Sequence, residues 1–284
     1  MMNQVRILHA GAFRFKLDRP LIMGIVNVTP DSFSDGGRLR NVQQAVTHAL
    51  NLAEQGADIL DVGGESTRPG AEAVLEDEEL KRVLPVLEEL VNQGLAVSVD
   101  TRKPRVMQEA IRTGAAMIND VMALREPGAI EAVADSAVAV CLMHMQGEPG
   151  TMQSAPVYQD VVREVREFLS GRIATCGQAG IAINRLVIDP GFGFGKTLEH
   201  NLALLKHLAQ LTDLNVPLLA GMSRKSMLGA LTGKPVDQRE YAGIAAHLAA
   251  IHRGASILRV HDVAAMKDAL AVWQAIEGEE KSEP

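Results

Sequence analysis

Eight short, nearly continuous apolar runs, separated by longer segments of helical spacing, constrain this chain more than any other feature. They cover residues 21–28, 58–63, 95–99, 116–118, 137–143, 185–188, 217–221 and 256–260. Between them, residues such as Val42, Ala45, Val46, Ala49, Leu50 and Ala53, or Leu198, Leu202, Leu205 and Ala209, recur at the spacing of one helix face. Gly56, Gly114, Gly180 and Gly254 stand just before the next run, Pro104 opens one helix, and Asp262 precedes the last. Apolar strands without polar alternation are buried on both faces, which is the condition of a parallel sheet covered by helices. Eight strand–helix repeats favour an α/β fold of one closed (β/α)8 TIM barrel over an open doubly wound sheet. The stretch before it, about residues 5–17, reads as a short N-terminal β-hairpin. The expected organisation is a hairpin extension over 1–20, a barrel over 21–277 and a charged, frayed tail over 278–284.

Composition fits one globular domain. Of 284 residues 47% are hydrophobic and only 3% aromatic, so Ala, Leu, Val, Ile and the 12 Met must build the core. Net charge is -7 and no Lys/Arg run is interleaved with aromatics, which argues against a nucleic-acid surface. Cys141 and Cys176 have neither metal-ligand spacing nor the numbers of a disulfide framework, and suit a reducing compartment. Arg6, His9, Arg14 and Lys16 interrupt the first twenty residues, leaving no signal-peptide core. No apolar run approaches the roughly 20 residues of a membrane span. The expectation is a cytoplasmic protein with no membrane partner.

A barrel places its active site at the C-terminal ends of its strands, and that is where the polar residues fall. Asn27; Asp61 with Glu65; Asp100; Asn119 and Asp120; His144; Asp189; Ser223 with Arg224 and Lys225; and Arg259 with His261 follow the eight runs in turn. Singly, each has a structural explanation: Asp120 and Asp262 read first as helix N-caps, and His144 as a hydrogen-bonded rim residue. Polar groups on all eight strand ends are too many for that alone. Asp100, Asn119, Asp189 and Lys225 combine acceptors and donors suited to the edge of a flat heterocycle, with Met143 as an apolar face. Arg68, Arg259, His261 and Asn27 suit a phosphate or diphosphate, and Mg2+ beside it would need one or two protein oxygens.

Two glycine- or serine-rich stretches need separate weighing. DPGFGFGKT has Pro190 where a phosphate-binding loop needs its first Gly, so the motif fails; Gly191, Gly193 and Gly195 read as a flexible loop carrying Phe192 and Phe194 near the rim. GMSRKSMLGAL puts Ser223 to Ser226 at a strand-to-helix transition, where Ser226 either caps the helix or, with Lys225 adjacent, faces an anion such as a carboxylate.

In order, NVTPDSFSDGG, DVGGESTRPGA, SVDT, IND, MHMQGEPGTMQ, DPGFGFGK, GMSRKSMLG and ILRVHDV resemble the successive motifs of bacterial dihydropteroate synthases over about residues 21–275. The resemblance implies that 4-aminobenzoate displaces diphosphate from 6-hydroxymethyl-7,8-dihydropterin diphosphate, with Mg2+, in a homodimer. It implies a pterin pocket of Asp100, Asn119, Met143, Asp189, Gly221, Lys225 and Arg259. Asn27, Arg68, Arg259 and His261 would meet the diphosphate, and Asn27 the metal. Phe33, Thr67, Pro69, Phe194 and Ser226 would hold 4-aminobenzoate. The catalytic set implied is Asn27, Asp100, Asp189, Lys225, Arg259 and His261. Because leaving-group departure makes the barrier, the step is expected to be SN1-like, and the turn-rich residues 29–37 are expected to form a mobile lid carrying Phe33. Two other readings share the pterin pocket: a methyltetrahydrofolate-dependent methyltransferase, which has no use for TPDSFSDGG, STRPG and SRKS together, and a non-catalytic pterin-binding paralogue.

Overall fold

The structure, a computed structural model, describes residues 6–28, 37–66, 74–147 and 150–277, with the backbone alone at 37–40. Eight parallel strands form the barrel: β3 (Leu21–Asn27), β4 (Ile59–Gly63), β5 (Val97–Asp100), β6 (Met117–Asp120), β7 (Ala139–Met143), β8 (Leu186–Asp189), β9 (Leu219–Ala220) and β10 (Ile257–Val260). They run in the order β8-β7-β6-β5-β4-β3-β10-β9, so each strand lies beside its sequence neighbour and the last returns to the first. The seventh barrel strand, β9, is only two residues long. Pro217, at its approach, has no N–H to give a ladder. Closure comes instead from Ile188, which bridges to Leu218 and donates its N–H to the Pro217 carbonyl at 2.9 Å.

Helices α1 (Gly37–Glu54), α2 (Glu76–Asn92), α3 (Pro104–Thr113), α4 (Ala129–Ala134), α5 (Val161–Gln178), α6 (Leu198–Lys206), α7 (Ser226–Thr232), α8 (Glu240–Ile251) and α9 (Val263–Glu277) surround the barrel. Local chemistry sets their ends. Pro104 opens α3, where its missing N–H costs nothing, and Gly114 closes it at φ 106°. The Asp160 carboxylate accepts from the Val162 and Arg163 amides to start α5. On α6 the buried stripe differs from the expected one: Leu204 and, beyond the helix, Leu208 and Leu211 are fully buried, whereas Leu202 is 37% exposed. Leucines at 202, 204, 205, 208 and 211 offer two stripes, and spacing alone does not choose between them.

Strand alternation divides the core in two. Outward residues such as Leu60, Val62, Val97, Val99 and Leu258 pack under the helices. Inward residues Leu21, Met23, Ile59, Met117, Cys141, Val187, Leu219 and Ile257 fill the barrel. The hairpin of β1 (Ile7–Ala10) and β2 (Phe13–Lys16) plugs the N-terminal end: Leu8 and Ala10 are buried in that inner cluster, and the Gly11 N–H donates to the Ala137 carbonyl at 2.8 Å. With that end sealed, the C-terminal mouth is the one left to open.

Candidate active site

Moving along the strands toward that mouth, the inward positions change from apolar to polar: Ile59 gives way to Asp61, Ala96 to Ser98 and then Asp100, and Ile257 to Arg259. Asp100 lies opposite Asn119, and Met143 opposite Asp189, in the strand registers. At the centre, Arg259 donates Nε to Asp61 Oδ2 at 2.6 Å and Nη2 to Asp100 Oδ2 at 2.8 Å. Asn119 donates Nδ2 to the same Asp61 oxygen at 3.1 Å. Burial opposes the charge on Arg259, yet Asp61 and Asp100 raise its pKa further. Burial, with Asp61, Glu79 and Asp120 nearby, pushes Asp100 up to about 7 against the pull of Arg259. Burial also raises Asp189, opposed by the Gly191 N–H at 2.7 Å and by Lys225, Lys196 and Arg259.

These groups border a cavity of about 680 Å3 at the barrel mouth, lined by Asn27, Asp100, Phe194, Gly221, Lys225, Ser226, Arg259 and His261 among the sequence candidates. Asn119 and Asp189 sit behind that lining, at 5% and 7% exposure. A side chain at Gly221 would enter the space between the Asp189 carboxylate, 3.9 Å from a Cβ built there, and Arg259. Met143 is buried in a sulfur-rich cluster with Met122, Met145 and Met152, against which Phe194 packs; of these methionines Met152 lines the cavity, and Met143 sits behind it. Lys225 sits over the Phe194 ring, and His261 Nδ1 lies 3.0 Å from Ser223 Oγ. Phe33, Thr67, Arg68, Pro69 and residues 29–36 of the expected lid lie outside the described residues.

Several expectations need correction. The 191–195 loop is tied down rather than flexible. The Lys196 ammonium, 3% exposed, donates to the Gly191 and Phe194 carbonyls, each at 2.9 Å, and meets His144 Nδ1 at 2.9 Å. Tyr158 Oη donates to the Gly195 carbonyl, and the Gly193 N–H to Asn201 Oδ1 at 2.7 Å. The glycines serve close packing: Gly191 has φ 68°, and a Cβ there would lie 2.0 Å from the His144 carbonyl. Phe192 is not at the rim but 1% exposed in the core beneath the helices, while Phe194 reaches the cavity.

Asp120 caps a turn, not a helix. It accepts from the Met122 and Leu124 amides at 2.8 and 2.7 Å, supporting Ala123 and Leu124 at φ 54° and 55°, and burial pushes it up to about 6. Asp262 precedes α9, with its carboxylate on Arg224 at 2.6 Å. Ser226 is the first residue of α7 and caps nothing; the capping position is Lys225. His144 is a rim residue as read, pushed down to about 3 by burial and by neighbouring Lys196.

Two buried groups that spacing alone does not single out tie the mouth together. Asp61 was recognisable as a strand-end carboxylate, but its link to both Arg259 and Asn119 depends on three strands meeting. Lys196 gave no signal beyond a lysine following glycines. Burial pushes its amine down to about 7, and its three acceptors at 2.9 Å match the three N–H bonds of an ammonium. Glu65, at the cavity edge, accepts from the Val74 N–H at 2.9 Å and from Lys103 at 2.6 Å. Its pKa falls, although burial works the other way, because Lys103, the Val74 amide and Arg102 favour the carboxylate.

Comparison with known proteins gives this geometry a family. Residues 23–261 match the family described as pterin binding enzyme. A dihydropteroate synthase of Neisseria meningitidis serogroup C is 53% identical over 95% of this chain and 97% of its own. The solved structure of Xanthomonas albilineans dihydropteroate synthase with 4-aminobenzoic acid superposes with a TM-score of 0.92 at 57% identity, covering 98% of this chain and 100% of that one. The Xanthomonas albilineans enzyme in complex with 7,8-dihydropteroate gives a TM-score of 0.86 at 51% identity, over 96% of this chain and 99% of that one. The chain belongs to the pterin-binding enzymes, and among them to the dihydropteroate synthases.

Proposed function

We propose that this chain works as a Mg2+-dependent dihydropteroate synthase, joining the methylene of 6-hydroxymethyl-7,8-dihydropterin diphosphate to the amine of 4-aminobenzoate and releasing diphosphate. The observation that carries the reading is one cavity in which a buried acceptor–donor set backs onto a cationic, hydroxyl-bearing mouth. The relatives solved with 4-aminobenzoic acid and with 7,8-dihydropteroate supply the two ends of the reaction.

In this assignment Asp100, Asn119, Asp189 and Lys225 read the pterin edge, Met143 and Arg259 meet its faces, and Gly221 leaves it room. The ring N–H groups find carboxylates that are already desolvated, so their hydrogen bonds are strong. Asn27 and His261, with Arg68 and Arg259, take the diphosphate. Phe194 and Ser226, with Phe33, Thr67 and Pro69, take 4-aminobenzoate. Asn27 suits the metal: it is a half-buried amide at the cavity edge, and among the described residues no cluster of three acidic, His or Cys groups stands ready as a full cage. One amide oxygen fits Mg2+, which keeps its waters and shares substrate phosphates. Bound there, the ion would offset charge on the departing diphosphate.

The chain's own part in the step is electrostatic. Arg259 and the mouth cations stabilise negative charge leaving, while the buried carboxylates tolerate positive charge on the electron-rich pterin. The C–O bond then breaks in an SN1-like manner before the amine attacks, with no protein nucleophile. We assign the same protein to the cytoplasm, consistent with the buried free thiols Cys141 and Cys176, and to a homodimer. Exposed Tyr241 on α8 and Val272 and Ile276 on α9 give that pairing apolar surface, and light scattering tests it. Incubation with both substrates and Mg2+, read by mass spectrometry, should yield dihydropteroate; unchanged substrates would overturn the assignment.

A further inference from the structure

We infer that Asp61 is the positioning residue of the pterin pocket: a fully buried carboxylate that touches Arg259 and Asn119 through one oxygen and fixes both against the ring they read. The inference rests on the proposed pterin reaction. Three observations carry it. Asp61 is 0% exposed, and its Oδ2 accepts from Arg259 Nε at 2.6 Å and from Asn119 Nδ2 at 3.1 Å. Arg259 uses Nη2 on Asp100, so Asp61 takes the Nε edge and leaves the plane of the guanidinium no freedom to turn. Asp61 is also absent from the cavity lining, whereas Arg259 and Asp100 are present in it, so it acts from behind them.

A second feature separates this residue from an ordinary buried ion pair. The other oxygen, Oδ1, is buried without a hydrogen-bond partner, as is Ser98 Oγ on the neighbouring strand, whose residue lies directly opposite Asp61. Leaving a carboxylate oxygen unpartnered is costly, and packing apolar residues there would be cheaper. A carboxylate retained at that cost is explained by what its other oxygen holds.

Removing it should therefore act through Arg259. In Asp61→Asn, one face of the amide presents N–H groups to the donors of Arg259 and Asn119, and the other offers a weaker acceptor. Calorimetry with the pterin diphosphate should show affinity reduced roughly tenfold or more. The control is the Arg259→Met background. If Asp61 works by holding Arg259, adding Asp61→Asn to Arg259→Met should cost at most about a further twofold, held to Asn119 alone. A merely structural role would lower affinity equally in both backgrounds.

Should Asp61→Asn fail to fold, thermal unfolding of the Arg259 pair decides. Arg259→Met alone strands two buried carboxylates, so the double variant should melt higher than Arg259→Met. Wild-type affinity in Asp61→Asn, an equal loss in both backgrounds, or a double variant melting lower would each overturn the inference. Failure of the wild type to bind the pterin at all would instead strike the proposed function.

Discussion

The Lys225 ammonium lies 4.0 Å from the centroid of the Phe194 ring. That contact joins the wall assigned to the pterin to the wall assigned to 4-aminobenzoate, and a cation over an aromatic face contributes about 0.5–2 kcal/mol. Phe194→Leu keeps apolar volume and removes the ring face. KM should rise for both substrates, by roughly two- to tenfold, in steady-state assays varying each in turn. A rise confined to one substrate would mean that the two walls act separately.

Asp100 and Asp120 set a pH dependence whose sign follows from burial. Their folded-state values, about 7 and about 6, lie above the unfolded value near 4. Each contributes stability that is fully present below about pH 4 and is lost as pH rises through the folded value. For binding the sense is opposite. A pterin donating N–H bonds to Asp100 needs the carboxylate, so affinity should climb by up to about tenfold per pH unit toward pH 7 and level off above it. Calorimetry between about pH 5.5 and 8.5 tests this, and the slope should vanish in Asp100→Asn.

Lys196→Met takes the donor away from the Gly191 and Phe194 carbonyls and from His144 Nδ1. Buried acceptors left without partners should cost about 2–4 kcal/mol, lowering Tm on the order of 5–10 °C for a chain of this size. Because the released loop carries Phe194, KM for 4-aminobenzoate should rise more than KM for the pterin. Scanning calorimetry checks the first half, and steady-state assays varying each substrate in turn check the second.

The hairpin is predicted to be part of the core rather than an appendage. Leu8→Ala should destabilise the protein by about 2–5 kcal/mol, since Leu8 is fully buried against the inner cluster. At temperatures where the variant stays folded, turnover should be unchanged. Chemical denaturation followed by fluorescence of Trp273 measures the first, and the product assay the second.

The barrel and the position of its site were legible because both rest on short-range pattern. Continuous apolar strands state their own burial, and the residue after each strand states the rim. Three-dimensional convergence was not legible. Asp61 differs from Asp120 in sequence only by context, yet one holds Arg259 from another strand and the other caps a local turn. Lys196 looked like a loop lysine because nothing local marks the four backbone and ring acceptors that surround it. Phe192 and Phe194 are two residues apart in a glycine loop, and only the backbone path decides that one enters the core and the other the cavity. The stripe on α6 failed for a different reason: consecutive leucines permit two helical phases.

Under the proposed mechanism the cavity separates pterin from diphosphate by electrostatics, and no side chain takes the pterin. A single turnover with 4-aminobenzoate and Mg2+ present and the protein in excess over pterin diphosphate, quenched at intervals and read by mass spectrometry, decides it. Dihydropteroate and diphosphate should appear one to one while the intact mass of the protein stays constant. A protein mass increased by the pterin-methylene group at any time point would contradict it.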